Sequence, residues 1–316
     1  MQTRRKISEI LGNWNLQTEE IKDIYYEETG NYSENAFYVG ENYIIKFSGN
    51  LGSVLRHLEL TKALHKANFF TAEILETAEG REYVESEGIY YYLTTKPEGI
   101  RLRASDMLSS DGMIKAQCLG EIIGQLHLVL KELDIVADEV NAFQHVIDWA
   151  LPGTRRVMQV PEKLCREYAE VYGSLQDKLP RQIIHRDPNP SNVIRGICRE
   201  KELWGFTDFE LSEKNIRIYD PCYAATAILS EWFMAGKKAE KWPEVYKNIM
   251  TGYDRVAGLT EEEKTAIPYV ILTNQFICVA WFADQGKYEE MFKANIEMTE
   301  WIFEHFDKLK LTEKAG

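Results

Sequence analysis

The sequence predicts an α+β protein in which a small β-rich lobe, residues 1–97, precedes a large and mostly helical lobe, residues 98–316. Three observations predict this class. The chain has 316 residues, which suffices for one large domain or two ordinary ones. Strand-like and helix-like patterns alternate over the first third of the chain, and helical patterns dominate beyond about residue 105. Pro97 and Gly99 interrupt the pattern between the two parts and mark their boundary.

In the first lobe, two β-rich runs predict a hairpin. They are Ala36-Phe37-Tyr38-Val39 and Tyr43-Ile44-Ile45-Lys46-Phe47, separated by the turn residues Gly40-Glu41-Asn42. A helix is predicted next, from about Leu51 to Ala67, with Leu51, Leu55 and Leu58 on one face. A second pair of strand-like runs follows, over 81–85 and 89–94.

In the second lobe, the periodicity predicts a helix over Ala116 to Leu130 and long helices from Pro221 to Leu309. The centre is the exception. Three short β-like pieces surround a predicted turn at Gly196–Glu202: Ile183-Ile184, Asn192 to Arg195 and Leu203 to Phe206. A small hairpin is therefore expected within the helical lobe.

The composition is that of a soluble globular protein, with 45% hydrophobic and 28% charged residues. The net charge of −13 disfavours nucleic acid and anionic membranes as partners.

The start, MQTRRKISEI, lacks the apolar run of a signal peptide. The apolar stretch Ile267–Ala283 falls short of a membrane span of roughly 20 residues. The five cysteines form no CxxC pair and are odd in number, which indicates reduced thiols and a cytoplasmic protein.

The residues that carry chemistry follow the strand-like Ile183-Ile184. The sequence continues His185-Arg186-Asp187-Pro188-Asn189-Pro190-Ser191-Asn192, and Asp208 follows sixteen residues after Asn192. A hairpin between them would return Asp208 to the loop. Oxygen side chains gathered in this way suit Mg²⁺ bound to a polyphosphate, with Asn192 and Asp208 as ligands. Asp187 would then orient a substrate hydroxyl and accept its proton.

These motifs resemble those of the aminoglycoside phosphotransferase, choline kinase and homoserine kinase family, whose fold is like that of protein kinases. The resemblance extends to Gly30–Asn35, which is similar to the family's nucleotide-covering turn, and to Leu119–His127, which is similar to a family helix. Arg217-Ile218-Tyr219-Asp220 looks like the segment that follows the metal site. The resemblance implies a two-lobed fold and ATP or GTP as co-substrate with Mg²⁺.

The resemblance also implies nucleotide-binding residues in the first lobe. Lys46 lies where a strand lysine would reach the phosphates, and Glu59 is the helix glutamate expected to pair with it. Ser33 and Asn35 belong to the covering turn. His185 and His127 are interpreted as structural, hydrogen-bonded residues rather than bases.

Departures from the family pattern at three positions are expected to matter. Arg186 stands where the family more often has glycine, and Asn189 where histidine is frequent. Pro97 stands where such kinases offer a backbone N–H to the purine, and proline has none. The purine contact is therefore expected at Lys96 or Thr95, or purine binding is unusual.

In this fold the acceptor would bind between Asp187 and the helices of the large lobe. The candidate lining residues are carboxylates and tryptophans that would suit a cationic acceptor such as an aminoglycoside or amino alcohol; homoserine-like alcohols remain open. They are Asp148, Trp149, Glu210, Asp220, Glu231, Trp232, Trp281 and Asp284.

The sequence thus predicts a small-molecule kinase. Two alternatives stay open. Arg186 favours a protein kinase, although no Ala-Pro-Glu follows Asp208-Phe209. A catalytically silent nucleotide-binding module is the other, although Lys46, Asp187, Asn192 and Asp208 are all present.

Overall fold

A computed structural model describes residues 2–26, 31–198, 201–237, 239–286 and 288–311. Strands β1 to β11 span Ile21–Tyr26, Asn31–Val39, Tyr43–Ser48, Ile74–Leu75, Val84–Ser86, Ile89–Thr95, Ile100–Arg101, Arg181–Ile184, Val193–Cys198, Lys201–Phe206 and Glu213–Ile216. Helices α1 to α10 span Gln2–Leu11, Leu51–Lys66, Gly112–Lys131, Ala142–His145, Leu151–Arg155, Glu162–Glu167, Tyr219–Met234, Trp242–Ala257, Glu261–Gln285 and Glu289–His305. The α+β class that the sequence predicts is confirmed.

The chain divides into two compact units. The first comprises Met1–Arg101, Leu133–Val136 and Val193–Leu211, and the second comprises Leu102–Glu132, Ala137–Asn192 and Ser212–Gly316. The boundary falls four residues after the one that the sequence suggested. The segment Val193–Leu211, which the sequence placed in the helical lobe, groups with the first unit because its hairpin pairs with β7.

The first unit is built on an antiparallel sheet with strand order β1-β2-β3-β6-β4, in which β5 also pairs with β6. Alternate residues of β6 face opposite sides of this sheet. Tyr91 and Leu93 pack in the cluster that includes Ile7 and Leu11 of α1, whereas Tyr92 packs with Val54 and Leu58 of α2. The sheet is therefore covered by a helix on each face. The predicted hairpin of β2 and β3 is confirmed, with Val39 opposite Tyr43.

In the second unit, α3 and α8 cross at an unusually short distance. A Cβ atom on Gly120 would lie 1.9 Å from the carbonyl oxygen of Ile249, and one on Gly252 would lie 2.0 Å from that of Gln117. Only glycine allows the two backbones to approach so closely. This crossing fixes α3, which carries His127 in its last turns.

The start of α7 is anchored by a buried ion pair. Glu263, which has no accessible surface, accepts hydrogen bonds from Arg217 Nε and Nη2, both at 2.7 Å. Glu263 also completes the N-cap of α9 by accepting from the N–H of Thr260 at 2.9 Å. Arg217 precedes α7 by two residues, so this pair positions the residues that begin α7.

Three expectations about elements need correction. The predicted leucine face of α2 is only partly buried. Leu58 is buried as expected, but Leu55 is 40% exposed, because the buried face also contains Val54 and His57. The predicted turn at 196–202 is too long, because β9 and β10 extend into it as far as Cys198 and Lys201.

The helix α9 is longer than the apolar stretch Ile267–Ala283 from which it was predicted. It is long and apolar enough to cross a membrane, yet 72% of its apolar window is buried, as in the core helix of a soluble protein.

Candidate active site

A buried carboxylate holds the loop that follows β8. Asp220, the second residue of α7, has no accessible surface. Its Oδ2 accepts a hydrogen bond from the backbone N–H of His185 at 2.7 Å, and its Oδ1 accepts one from that of Arg186 at 2.9 Å. His127 Nε2 lies 2.9 Å from Oδ2. These donors offset the desolvation of the carboxylate, and in return Asp220 fixes the backbone immediately before Asp187.

His127 extends this network to α8. Its Nδ1 lies 2.8 Å from the hydroxyl of Tyr253, which is buried. Both contacts are satisfied when Nε2 carries the proton and Nδ1 accepts from the tyrosine. His127 is thus the packed, hydrogen-bonded residue that the sequence analysis expected.

The Asp187 carboxylate is held through both of its oxygens. Asn189 Nδ2 donates to Oδ1 at 2.9 Å, and Asn192 Nδ2 donates to Oδ2 at 3.1 Å and to the Asp187 carbonyl at 2.9 Å. His185, which is buried, accepts from the N–H of Asp187 at 3.3 Å through Nδ1.

Arg186 has a left-handed backbone conformation, with φ of +76°. Glycine adopts this region without strain, whereas other L-residues pay roughly 1–2 kcal/mol. This geometry gives a physical reason for the glycine that the family pattern favours here. The arginine is retained in the loop by contacts with Glu213 and Tyr219.

In the first unit, Lys46 forms the centre of a second cluster. Its Nζ lies 2.7 Å from Asp208 Oδ1 and 2.9 Å from Glu210 Oε1. Burial opposes the charged form, but Asp208 and Glu210 outweigh burial and raise the pKa of the Lys46 ammonium above its usual value. Lys46 therefore keeps its positive charge on β3, balanced by the two carboxylates.

Glu210 is held by two further residues. Tyr92 donates its hydroxyl hydrogen to Oε1, and Asn35 Nδ2 donates to Oε2 at 3.3 Å. Ser33 Oγ lies 3.4 Å from Asn35 Oδ1, so both predicted turn residues lie on the β2 side of this cluster. Gly30, the first residue of the predicted turn, lies outside the described residues.

The structure corrects the partner predicted for Lys46. Glu59 is exposed on α2, whereas Val54 and Leu58 of the same helix pack against the sheet. The geometry of the helix explains the difference. Glu59 comes five residues after the buried Val54, and at about 100° per residue its side chain points away from the side on which Val54 packs. The carboxylate that pairs with Lys46 is Glu210, two residues after Asp208.

The purine contact predicted at Thr95 or Lys96 is also corrected. The N–H of Thr95 donates to the carbonyl of Glu73 at 2.9 Å, and that of Lys96 donates to the carbonyl of Asn42 at 2.7 Å. Both donors are therefore used within the first unit, and Pro97 has none.

Several candidate acceptor residues have other roles. Asp220 is buried and holds the loop, and Glu210 pairs with Lys46. Trp232 is 1% exposed and donates its indole N–H to the carbonyl of Ala104 at 2.9 Å. Glu231 also contacts Ala104, with its Oε2 3.4 Å from the backbone nitrogen.

The remaining candidates lie nearer the surface of the second unit. Trp281 is 42% exposed and stacks on Tyr288 with a centroid distance of 5.8 Å. Asp284, one turn later, lies 3.2 Å from Arg156. Asp148 is exposed beside Trp149, which packs on His145.

The sequence analysis missed the roles of Asn189, Tyr92, Glu213 and His57. Asn189 was noted only as a departure from the family, although an asparagine two residues after Asp187 can bond back to it. His57 Nδ1 accepts from the N–H of Phe209 at 3.2 Å. No local signal could have identified His57 or Tyr92, because their partners are more than one hundred residues away in the chain.

The model of the phosphotransferase enzyme family matches residues 29–259.

Among solved structures, a microcompartment-associated aminopropanol kinase has a TM-score of 0.69 and 13% identity, covering 97% of this chain and 98% of that chain. The amicoumacin kinase hAmiN, in complex with AMP-PNP, Ca²⁺ and Ami, has a TM-score of 0.66 and 14% identity, covering 95% of each chain. The GDP and kanamycin complex of APH(2")-IIia has a TM-score of 0.68 and 12% identity, covering 95% and 98%. A search of curated protein sequences finds no match. At these identities the structures show the fold, and the kinase-like fold that the sequence predicts is confirmed.

Proposed function

The chain belongs to the phosphotransferase enzyme family, and from that premise we propose that it transfers the γ-phosphoryl group of ATP or GTP to a hydroxyl group of a small molecule. The observation that carries the proposal is the 2.7 Å contact between Lys46 Nζ and Asp208 Oδ1, which joins residues 162 positions apart. A buried cation beside a carboxylate is the pair needed to bind a nucleotide phosphate and its metal.

The residues present fit a magnesium ion. Asp208 offers carboxylate oxygens, and Asn192, which binds Asp187 through Nδ2, offers Oδ1. Both are hard oxygen donors, and Mg²⁺ bound to a triphosphate needs only one or two protein ligands. The sequence spacing of Asn192 and Asp208, with a hairpin between them, supports assigning both residues to one ion. When bound, the ion neutralises charge on the phosphates.

Each cluster then has its own task. Lys46 binds phosphate oxygens, while Glu210 and Tyr92 keep its ammonium in place. Asp187 orients the acceptor hydroxyl and accepts its proton, with Asn189 and Asn192 fixing the carboxylate. Ser33 and Asn35 cover the nucleotide on the β2 side. An intracellular, cytoplasmic location belongs to the same proposal and is supported by Cys165, Cys222 and Cys278, whose thiols form no disulfide.

The acceptor belongs to the class of small alcohols, either cationic or homoserine-like. Trp281 and Asp284 are one turn apart on α9 and accessible, an arrangement that would suit an ammonium group. Protein substrates are the competing class, since Arg186 favours them.

The test is release of ADP or GDP, with each nucleoside triphosphate and a panel of aminoglycosides, amino alcohols, hydroxy amino acids and one generic protein substrate. Turnover with a small alcohol is expected, and Asp187→Ala should abolish it while nucleotide affinity stays nearly intact. Full activity of Asp187→Ala would contradict the role of Asp187. Nucleotide binding without turnover of any hydroxyl compound would instead favour the silent module.

A further inference from the structure

The second unit has a cavity at the corner between α8 and α9, and its lining is basic although the chain as a whole is acidic. The cavity volume is about 600 Å³, within the roughly 300–1,000 Å³ that is usual for small-molecule sites. Among the described residues, three lysines and one carboxylate line it, in a chain with 37 lysines and arginines against 50 aspartates and glutamates. The lining residues are Lys247, Met250, Thr251 and Asp254 of α8, Leu259 of the connecting turn, Lys264 of α9, and Lys310 and Leu311 beyond α10.

The three lysines are available to a ligand. Lys247 is exposed on α8, and within the described parts of the chain its Nζ makes no hydrogen bond or ion pair. Lys264 pairs with Glu261 at 2.9 Å. Lys310 pairs with Asp307. The side chains of these two carboxylates are 76% and 89% exposed and lie outside the lining, and such exposed pairs contribute little to stability, so both lysines can turn to a ligand at small cost.

The carboxylate of the lining is engaged by the backbone. Asp254 Oδ1 accepts a hydrogen bond from the N–H of Leu259 at 2.6 Å, and the carbonyl of Asp254 accepts one from the N–H of Gly258 at 2.9 Å. Asp254 therefore fixes the turn between α8 and α9. Because it offsets only one of the three lysine charges on the described lining, the electrostatic field in the cavity favours an anion.

The corner that carries these residues is held from behind. Arg217 donates through Nη1 to the carbonyl of Ala257 at 3.0 Å and through Nη2 to that of Gly258 at 2.6 Å. Glu263, directly before Lys264, binds Arg217 and completes the N-cap of α9. The backbone that presents the lysines of α8 and α9 is thus fixed in advance, which lowers the cost of ordering this site when a ligand binds.

We propose that this cavity binds a small anion with two or more negative charges, either a phosphate compound or a polycarboxylate. Ammonium groups bind such oxygens as point charges without the planar geometry that a guanidinium requires, and three of them on separate segments suit a ligand whose charge is spread over several groups. Met250, Leu259 and Leu311 offer apolar surface to a carbon skeleton beside these charges. No lining residue belongs to the set proposed for phosphotransfer, so this site is additional to that function.

The experiment titrates the full chain by calorimetry with citrate and, separately, with tripolyphosphate. A salt concentration of about 0.15 M screens attraction beyond about 8 Å, so contacts within the cavity dominate. We expect saturable binding of at least one of the two anions, and the one that binds better identifies the ligand as a polycarboxylate or a phosphate compound. Lys247→Gln and Lys264→Gln should each weaken it about 10-fold, as expected for a lost hydrogen bond between charged groups. Lys293→Gln is the matched control, because it removes an exposed lysine of α10 outside the cavity and should bind as the wild type does.

Acylation of lysines, followed by mass spectrometry, locates the bound anion directly. At ten times the Kd only about one-tenth of the sites remain empty by mass action, so acylation of Lys247 should slow about 10-fold while that of Lys293 stays unchanged. This measurement separates the cavity from any anion that binds at Lys46, because binding there leaves Lys247 unprotected.

Absence of binding of both anions would overturn this inference. Binding that is unchanged in Lys247→Gln and Lys264→Gln, or that leaves Lys247 unprotected, would overturn it as well, because the anion would then lie elsewhere. An equal loss in Lys293→Gln would also overturn it, since it would show a general effect of charge. Each of these results leaves the proposed phosphotransfer standing.

Discussion

The carboxylate of Asp220 accepts a hydrogen bond from the backbone N–H of His185 at 2.7 Å, although the two residues are 35 positions apart in the chain. This bond, together with those from Arg186 and His127, makes the loop before Asp187 a rigid extension of α7 rather than a free turn. A displacement of a catalytic base by about 1 Å can cost 100-fold in rate. With Asp187 proposed as the base, we expect Asp220 to matter for activity without touching a substrate.

We therefore expect Asp220→Asn to lower the free energy of unfolding by about 3 kcal/mol, because the amide leaves a buried donor without an acceptor. The same variant should lower kcat about 100-fold with a smaller change in KM. Urea denaturation and steady-state kinetics measure the two effects. Asp284→Asn, which alters an exposed ion pair with Arg156, should change stability by less than about 1 kcal/mol. Equal effects of the two substitutions would contradict the role given to Asp220.

Glu210 and Glu59 make a direct comparison, because the structure and the sequence pattern disagree on which of them holds Lys46. Glu210→Gln removes the carboxylate 2.9 Å from Lys46 Nζ and should raise the KM for the nucleotide about 10-fold. Glu59→Gln alters an exposed side chain of α2 and should change it less than about twofold. Nucleotide titrations at saturating acceptor measure both effects. A larger effect of Glu59→Gln than of Glu210→Gln would show that Glu59, and not Glu210, is the partner of Lys46.

The crossing of α3 and α8 gives a prediction about stability alone. Gly252→Ala would place a methyl group 2.0 Å from the Gln117 carbonyl oxygen, so the helices must separate. We expect a loss of about 1–3 kcal/mol or more in the free energy of unfolding. Gly12→Ala is the matched control, since a Cβ there meets nothing within 4 Å, and its effect should stay within about 0.5 kcal/mol. The midpoints of urea denaturation give both values.

Glu213 makes stability depend on pH. Burial raises the pKa of its carboxyl, whereas Arg186 and Asn215 lower it and Asp220 raises it further. The folded state therefore holds this proton more tightly than the unfolded state, and the contribution to stability falls as pH rises above the unfolded value of about 4.3. Glu213→Gln should remove this part of the slope.

Arg186→Gly should extend the same slope to higher pH, because it removes the charge that lowers the pKa of Glu213. Thermal denaturation between pH 4 and 8 checks both variants. A slope of opposite sign, or one unchanged in Glu213→Gln, would show that other groups dominate.

Local patterns in the sequence were sufficient to predict some elements and to select the residues that we propose as catalytic. The β2–β3 hairpin and α2 follow from alternation and periodicity, which act over a few residues. The spacing of Asp187, Asn192 and Asp208 identified the residues proposed for chemistry, because a loop and a hairpin are short-range structures.

What the sequence by itself determined is therefore the class of the fold, and it also selected Lys46, Asp187, Asn192 and Asp208 as the residues that we propose for the chemistry. Tertiary structure alone decided how these groups are held. Lys46 forms its ion pair with Glu210 instead of Glu59, because α2 packs against the sheet in a way that leaves Glu59 exposed to solvent. It also turned Asp220 from a predicted acceptor ligand into a buried support, because a carboxylate removed from water must take the nearest unpaired donors, and these lie 34 and 35 residues away in the chain.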